Sequence, residues 1–171
     1  MKKLFAIALV VIMALSLAAC DSKPQEETTA KGPDLSQFPA DLKDWTAADY
    51  NNYFIQAGVY ENNDKAYVQD HASYWVNTPI YEGSGYMDDV TGDYIFIFTF
   101  DPDSKEADVP AYMDSVRATK STGKDYSDIP IDHMVANMCI SYTFCQTESV
   151  YQAAEKAFND LVAAMNATPD F

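Results

Sequence analysis

Positive charge is scarce in this chain. Its 171 residues carry 11 Lys and Arg against 26 Asp and Glu, a formal net charge of −15. Nucleic-acid binding is driven by Lys and Arg neutralising phosphates, so no nucleic-acid partner is expected. A polybasic grip on anionic lipid is excluded on the same ground. Histidine is rarer, with 2 in the chain. His71 and His133 each follow an Asp, and neither has a His or Cys three or four residues away, as a zinc site on one element requires. No metal or other cofactor is expected. Cysteine is confined to Cys20, Cys139 and Cys145, too few for a disulfide framework. There is no G-x-S-x-G elbow, Walker loop, dinucleotide fingerprint or Cys-x-x-Cys. That removes the usual grounds for proposing an enzyme. It does not exclude a site assembled from distant residues.

Aromatic side chains are plentiful, with 12 Tyr, 9 Phe and 2 Trp. Some of them build a core. Tyr also suits a binding surface, because it offers a flat apolar face with a polar tip.

The chain opens MKKLFAIALVVIMALSLAAC. Lys2 and Lys3 precede an apolar run, Leu4 to Leu17, and then Leu17-Ala18-Ala19-Cys20. The run suits a signal segment and is shorter than the roughly 20 residues of a spanning helix. Small residues before Cys20 give a peptidase a slim backbone. This opening resembles the signal peptide and lipobox of bacterial lipoproteins. The resemblance covers residues 1–20 only. It implies that residues 1–19 are removed and that Cys20 carries a thioether-linked diacylglyceryl group. It places the protein at the cell membrane, lipid-anchored and facing outside the cytoplasm. In two-membrane bacteria of the enteric type, Asp21 implies retention at the inner membrane. Loss of Lys2 and Lys3 would leave 9 basic residues against 26 acidic ones. The lipid would anchor a domain that anionic membrane repels.

Residues 20–37 are polar and contain Pro and Gly, as expected of a flexible tether. Residues 38–171 then form one domain, long enough for a proper core. Thr46 caps a first helix that Gly58 stops, with Tyr50, Tyr53, Phe54 and Ala57 on one face. Ala66–Val68 and Ser73–Val76 are short candidate strands. Ile80–Asp88 and Tyr94–Phe100 flank a Gly-containing turn and predict a hairpin. Gly83 and Gly85 in its first arm predict a bulge or a close backbone approach. The second arm is apolar on both faces, so it belongs in the middle of a sheet.

A second helix starts at Asp103 or Asp108, with Val109, Tyr112, Met113 and Val116 inward. Residues Met134–Cys145 read as one long strand. On it Cys139 and Cys145 share a face about 20 Å apart, too far to bridge, and both are expected as buried thiols. Ser149 and Gln152 form a capping box for a last amphipathic helix. The fold class is α+β: a mostly antiparallel sheet with an N-terminal helix, a helix between strands and a C-terminal amphipathic helix. A ferredoxin-like half and a cystatin-like curved sheet both fit this order.

Asp101, Asp103, Glu106 and Asp108 invite a calcium reading but depart from the EF-hand loop. Acids complementing a helix N-terminus explain them more simply. The small, polar face of the 134–145 strand, set near the aromatic hairpin, could floor a pocket, unless a helix packs on it. Tyr74, Trp75 and Tyr81 are the candidate ligand-binding rim. The leading expectation is a non-catalytic, lipid-anchored module of the cell envelope. It would bind a small molecule or an envelope protein and meet the membrane through Cys20. The alternatives are an extracytoplasmic hydrolase with a site of distant Asp, His and Tyr residues, and a structural subunit of a membrane complex.

Overall fold

The computed structural model of the chain describes residues 32–70, 82–101, 108–123 and 128–171. Cys20, His71, Tyr74, Trp75, Tyr81, Asp103, Glu106 and Asp125 lie outside these residues, as does the strand expected at Ser73–Val76.

Among the described residues five strands form one sheet: β1 (Ala66–Asp70), β2 (Glu82–Asp88), β3 (Asp93–Thr99), β4 (His133–Val135) and β5 (Met138–Ser141). Their order is β1-β2-β3-β5-β4, and every neighbouring pair is antiparallel. Three α-helices among the described residues pack on it: α1 (Ala47–Gln56), α2 (Asp108–Thr119) and α3 (Glu148–Ala164). The class is α+β, with an open antiparallel sheet. Among the described residues, no helix is long and apolar enough to cross a membrane.

Helix α1 follows its local signals. Thr46 and Asp49 form a reciprocal capping box. Gly58, at φ +74°, closes the other end, with its N–H on the Ile55 carbonyl and that of Val59 on Phe54. Two bonds pin the helix to β2: the Ala47 N–H donates to the Glu82 carboxylate, and the Ser84 hydroxyl donates to the Ala47 carbonyl. Ahead of α1, Leu35–Gln37 forms a 3-10 turn in the stretch assigned to the tether, and Leu35 packs on the core.

The β2–β3 hairpin has an unbroken register from Glu82↔Thr99 to Asp88↔Asp93. Gly85 therefore marks a close approach and not a bulge. Gly85 sits at φ +145°, and a Cβ there would collide with the Ile95 carbonyl. Residues directly opposite share a face, so the two faces of β3 feed two cores. Ile95 and Ile97 join Tyr50, Tyr53, Phe54, Ala157, Phe158 and Leu161 under α1 and α3. Phe98 and Phe100 join Val109 and Val116 of α2, with Ile129, Ile131, Met134 and Cys139. Each fully buried ring or branched side chain contributes about 1.5–3 kcal/mol.

The long strand expected over Met134–Cys145 is two short ones. Ala136 adopts φ +50° and the chain reverses through Ala136-Asn137, pairing Met134 with Cys139 and Val135 with Met138. The apolar alternation continues across the turn and hides it. The reversal moves Met134 to the α2 face while Val135, Met138 and Ile140 line the other. It also separates the thiols. Cys139 is buried beneath α2, and Cys145, beyond β5, packs on the opposite core. Both are free, and burial pushes them up to about 12 and about 11.

The last helix starts two residues earlier than its capping-box pattern implies. Its N-cap is Thr147, which makes no side-chain cap bond. The Asp93 carboxylate accepts from the Gln146 N–H at 2.9 Å and the Thr147 N–H at 2.8 Å, so a residue of β3 caps the helix from outside. Gln152 instead bonds Glu148.

Candidate functional site

The edge of the sheet at β4 collects the features with chemical potential. It begins with the two-residue hairpin tip. A left-handed Ala costs about 1–2 kcal/mol, so the surrounding contacts must impose that conformation. Asn137 supplies them. Its side-chain N–H group donates to the Trp45 carbonyl at 3.1 Å and towards that of Phe100 at 3.5 Å. Its Oδ1 accepts from the Tyr50 hydroxyl at 3.1 Å. Asn137 is 4 % exposed, and this fully partnered amide ties α1, the end of β3 and the hairpin together. Burial and the nearby Asp49 and Asp41 charges push the Tyr50 hydroxyl far up.

Two clefts flank this tip. The first, about 320 Å³, lies between the tip and α2. Val109, Pro110 and Met113 give it an apolar wall, and Lys43, Arg117, Asp101 and Asp114 a charged rim. The second, about 420 Å³, lies on the other side of Ala136 and is lined by Leu42, Val135, Met165 and Asn166 among others.

The segment after α3 runs along the same edge. Asn166, at φ +52°, ends the helix, with its N–H on the Ala163 carbonyl and that of Ala167 on Val162. The Asp170 N–H then donates to the Met134 carbonyl at 2.8 Å. Arg117 Nε donates to the Asp170 carboxylate at 3.0 Å while its Nη1 holds Asp114 at 2.9 Å.

His133 lies at the far end of β4. Its ring stacks on Phe158 at 4.3 Å. Nε2 faces the Glu155 carboxylate and Nδ1 the Phe171 backbone oxygen, each at 3.1 Å. Asp132, the residue before His133, is used elsewhere: it accepts from the Tyr142 and Thr143 N–H groups. Glu155 also accepts from the Tyr142 hydroxyl and from Asn159. Burial works against the Glu155 charge, but the bonds from Tyr142, His133 and Asn159 outweigh it and hold the carboxyl below its usual range. Burial, then the bond to Glu155, pushes the Tyr142 hydroxyl far up. With an oxygen acceptor against each ring nitrogen and Phe158 against its face, the His133 ring is fixed in position by its surroundings.

The small face of the 134–145 segment floors no pocket at Cys139 or Ser141, in line with the alternative of a helix packed on it. Cys139 is covered by the α2 core, and Ser141 is fully buried with an unpartnered hydroxyl. The proposed rim, Tyr74, Trp75 and Tyr81, lies outside the described residues. Among the described residues, no group of three or more His, Cys, Asp or Glu comes together. Asp128 accepts from Ser121 and Gly123, so it serves a turn. Arg117 and Glu155 escaped the sequence reading because their partners are distant in the chain. Asn137 left one signal, its poor fit to a strand interior.

No protein-family model matches this chain, and neither the curated proteins nor the solved structures contain a match to it.

Proposed function

We propose that this chain is a lipid-anchored, extracytoplasmic binding module that holds a small molecule or an envelope protein without turning it over. The observation that carries the binding half is the pair of clefts meeting at the Ala136-Asn137 tip. Both volumes fall within the roughly 300–1,000 Å³ of small-molecule sites, and the first combines an apolar wall with a few charged groups, as such sites do. The hairpin tip is braced by a buried network, which suits a rigid binding surface. The anchoring half rests on the lipobox-like opening, with the diacylglyceryl group on Cys20.

A screen of sugars, peptides and divalent ions by thermal shift tests the binding half. A ligand at about 100 times its dissociation constant adds about 2.7 kcal/mol. The shift should vanish in Met113→Trp, which fills the first cleft. If it survives there and vanishes in Trp75→Ala or Tyr81→Ala, the aromatic rim proposed from the sequence holds the site instead. Cys20→Ala should abolish fatty-acid labelling and leave a precursor. The enzyme reading draws on one observation, the linked Tyr142, Glu155 and His133. It predicts a turnover that His133→Ala destroys.

A further inference from the structure

We infer that the outer edge of β4 is a docking site for an extended peptide carrying an acidic residue followed by an aromatic one, and that residues 167–171 fill it in cis. The inference rests on the binding reading above and names the partner class.

One main-chain bond and several side-chain sites hold the seated segment, the division between grip and selectivity that peptide recognition at a sheet edge uses. The main-chain bond runs from the Asp170 N–H to the Met134 carbonyl, at 2.8 Å. The acidic site is Arg117, whose Nε meets the Asp170 carboxylate at 3.0 Å. The aromatic site is formed by Lys120, whose ammonium stands 4.8 Å from the centre of the Phe171 ring, and by the α2 core on which that ring packs. His133 Nδ1 lies 3.1 Å from the Phe171 oxygen. Two cations and one of the chain's 2 His residues thus converge on two consecutive residues, in a chain with 11 Lys and Arg. In so acidic a molecule this is a local spot able to attract an acidic segment. Asn166, a single left-handed residue, separates the segment from α3, so its release would cost the Ala167 and Phe171 contacts with the two cores but leave the sheet intact. While seated it also protects the sheet edge.

The probe is the acetylated peptide Ala-Thr-Pro-Asp-Phe, residues 167–171, with Ala-Thr-Pro-Asn-Ala as control. It is titrated into the native chain and into its Asp170→Ala/Phe171→Ala variant, followed by amide chemical shifts. A site filled in cis weakens apparent affinity by the fraction of open molecules. The variant should therefore bind the probe at least ~10-fold more tightly than the native chain, and Arg117→Ala added to it should abolish binding. Failure of a folded variant to bind the probe, or equal binding of the control, overturns the inference. Hydrogen exchange on the native chain supplies a second measurement that needs no variant. The Asp170 amide should exchange at least ~10-fold faster than the amides of β5. Exchange at the same rate would mean that the segment opens only with the whole domain, and would overturn it too. A chain that rejects the peptide yet takes a small ligand in its first cleft overturns this inference and leaves the binding reading standing.

Discussion

The Tyr50 hydroxyl and the Asn137 side chain, 87 residues apart, meet in a hydrogen bond of 3.1 Å beneath the tip of the β4–β5 hairpin. Removing the amide strands the Trp45 carbonyl, while the Tyr50 hydroxyl keeps its bond to the Leu42 carbonyl at 3.0 Å. Each buried polar group stranded in this way costs about 1–3 kcal/mol. Asn137→Ala should therefore lower the unfolding free energy by at least ~1 kcal/mol in denaturant titration. A loss within ~0.5 kcal/mol, the range of an ordinary surface change, would show that the network does not brace the tip.

The neighbouring residue should respond in the opposite direction. Ala136 holds φ +50°, where glycine has no Cβ penalty. Ala136→Gly should be neutral or stabilising by up to ~1 kcal/mol, and Ala136→Val destabilising. A clear loss in the Gly variant would contradict a left-handed turn.

Gly85 is the reverse case. A Cβ there meets the Ile95 carbonyl of the adjacent strand, and backbone cannot move aside cheaply. Gly85→Ala should cost about 2–3 kcal/mol. A smaller change than Ala136→Val produces would place β2 farther from β3 than it stands.

Acid should unfold the domain by a predictable route. The Lys65 hydrogen bond, reinforced by the Val90 and Thr91 N–H groups, holds the Asp88 carboxyl down at about 2. Asp93 is lowered because its bonds to Thr147 and Gln146 outweigh burial, and Glu155 is lowered as described. Carboxyls depressed in the folded state stabilise it fully above their unfolded values, about 3.9–4.3, and lose that contribution as pH falls below them. Stability should be flat near neutrality and drop from about pH 5 downward, progressively toward pH 2. Asp93→Asn should be less stable at pH 7 and show a shallower acid slope. An unchanged slope would remove Asp93 from this account.

Much of the fold was legible because its signals are local. Thr46, Asp49 and Gly58 mark α1 by side-chain chemistry within one turn of each end. The two-faced apolar run Tyr94–Phe100 states that β3 is covered on both sides, as its two cores show. The errors arose where a distant residue decides a local outcome. Asn137 turns the chain because Tyr50, Trp45 and Phe100 wait for its amide, and the apolar residues on either side alternate as if no turn were there. Asp93 caps α3 from 54 positions away, so the Ser149-Gln152 pattern misplaced the start. The candidate site was hidden for the same reason. Its clefts are lined by a second 3-10 turn, Leu42–Asp44, by α2, the hairpin tip and the segment after α3, which only the fold brings together.

Amide chemical-shift mapping of the first ligand to emerge from the thermal-shift screen tests the central claim most directly. The account predicts that the perturbed amides cluster around the β4 edge, at Val109, Met113, Ala136, Val135 and Ala167, and that the ligand is recovered unchanged. Perturbations centred elsewhere, or a product whose formation stops in His133→Ala, would contradict it.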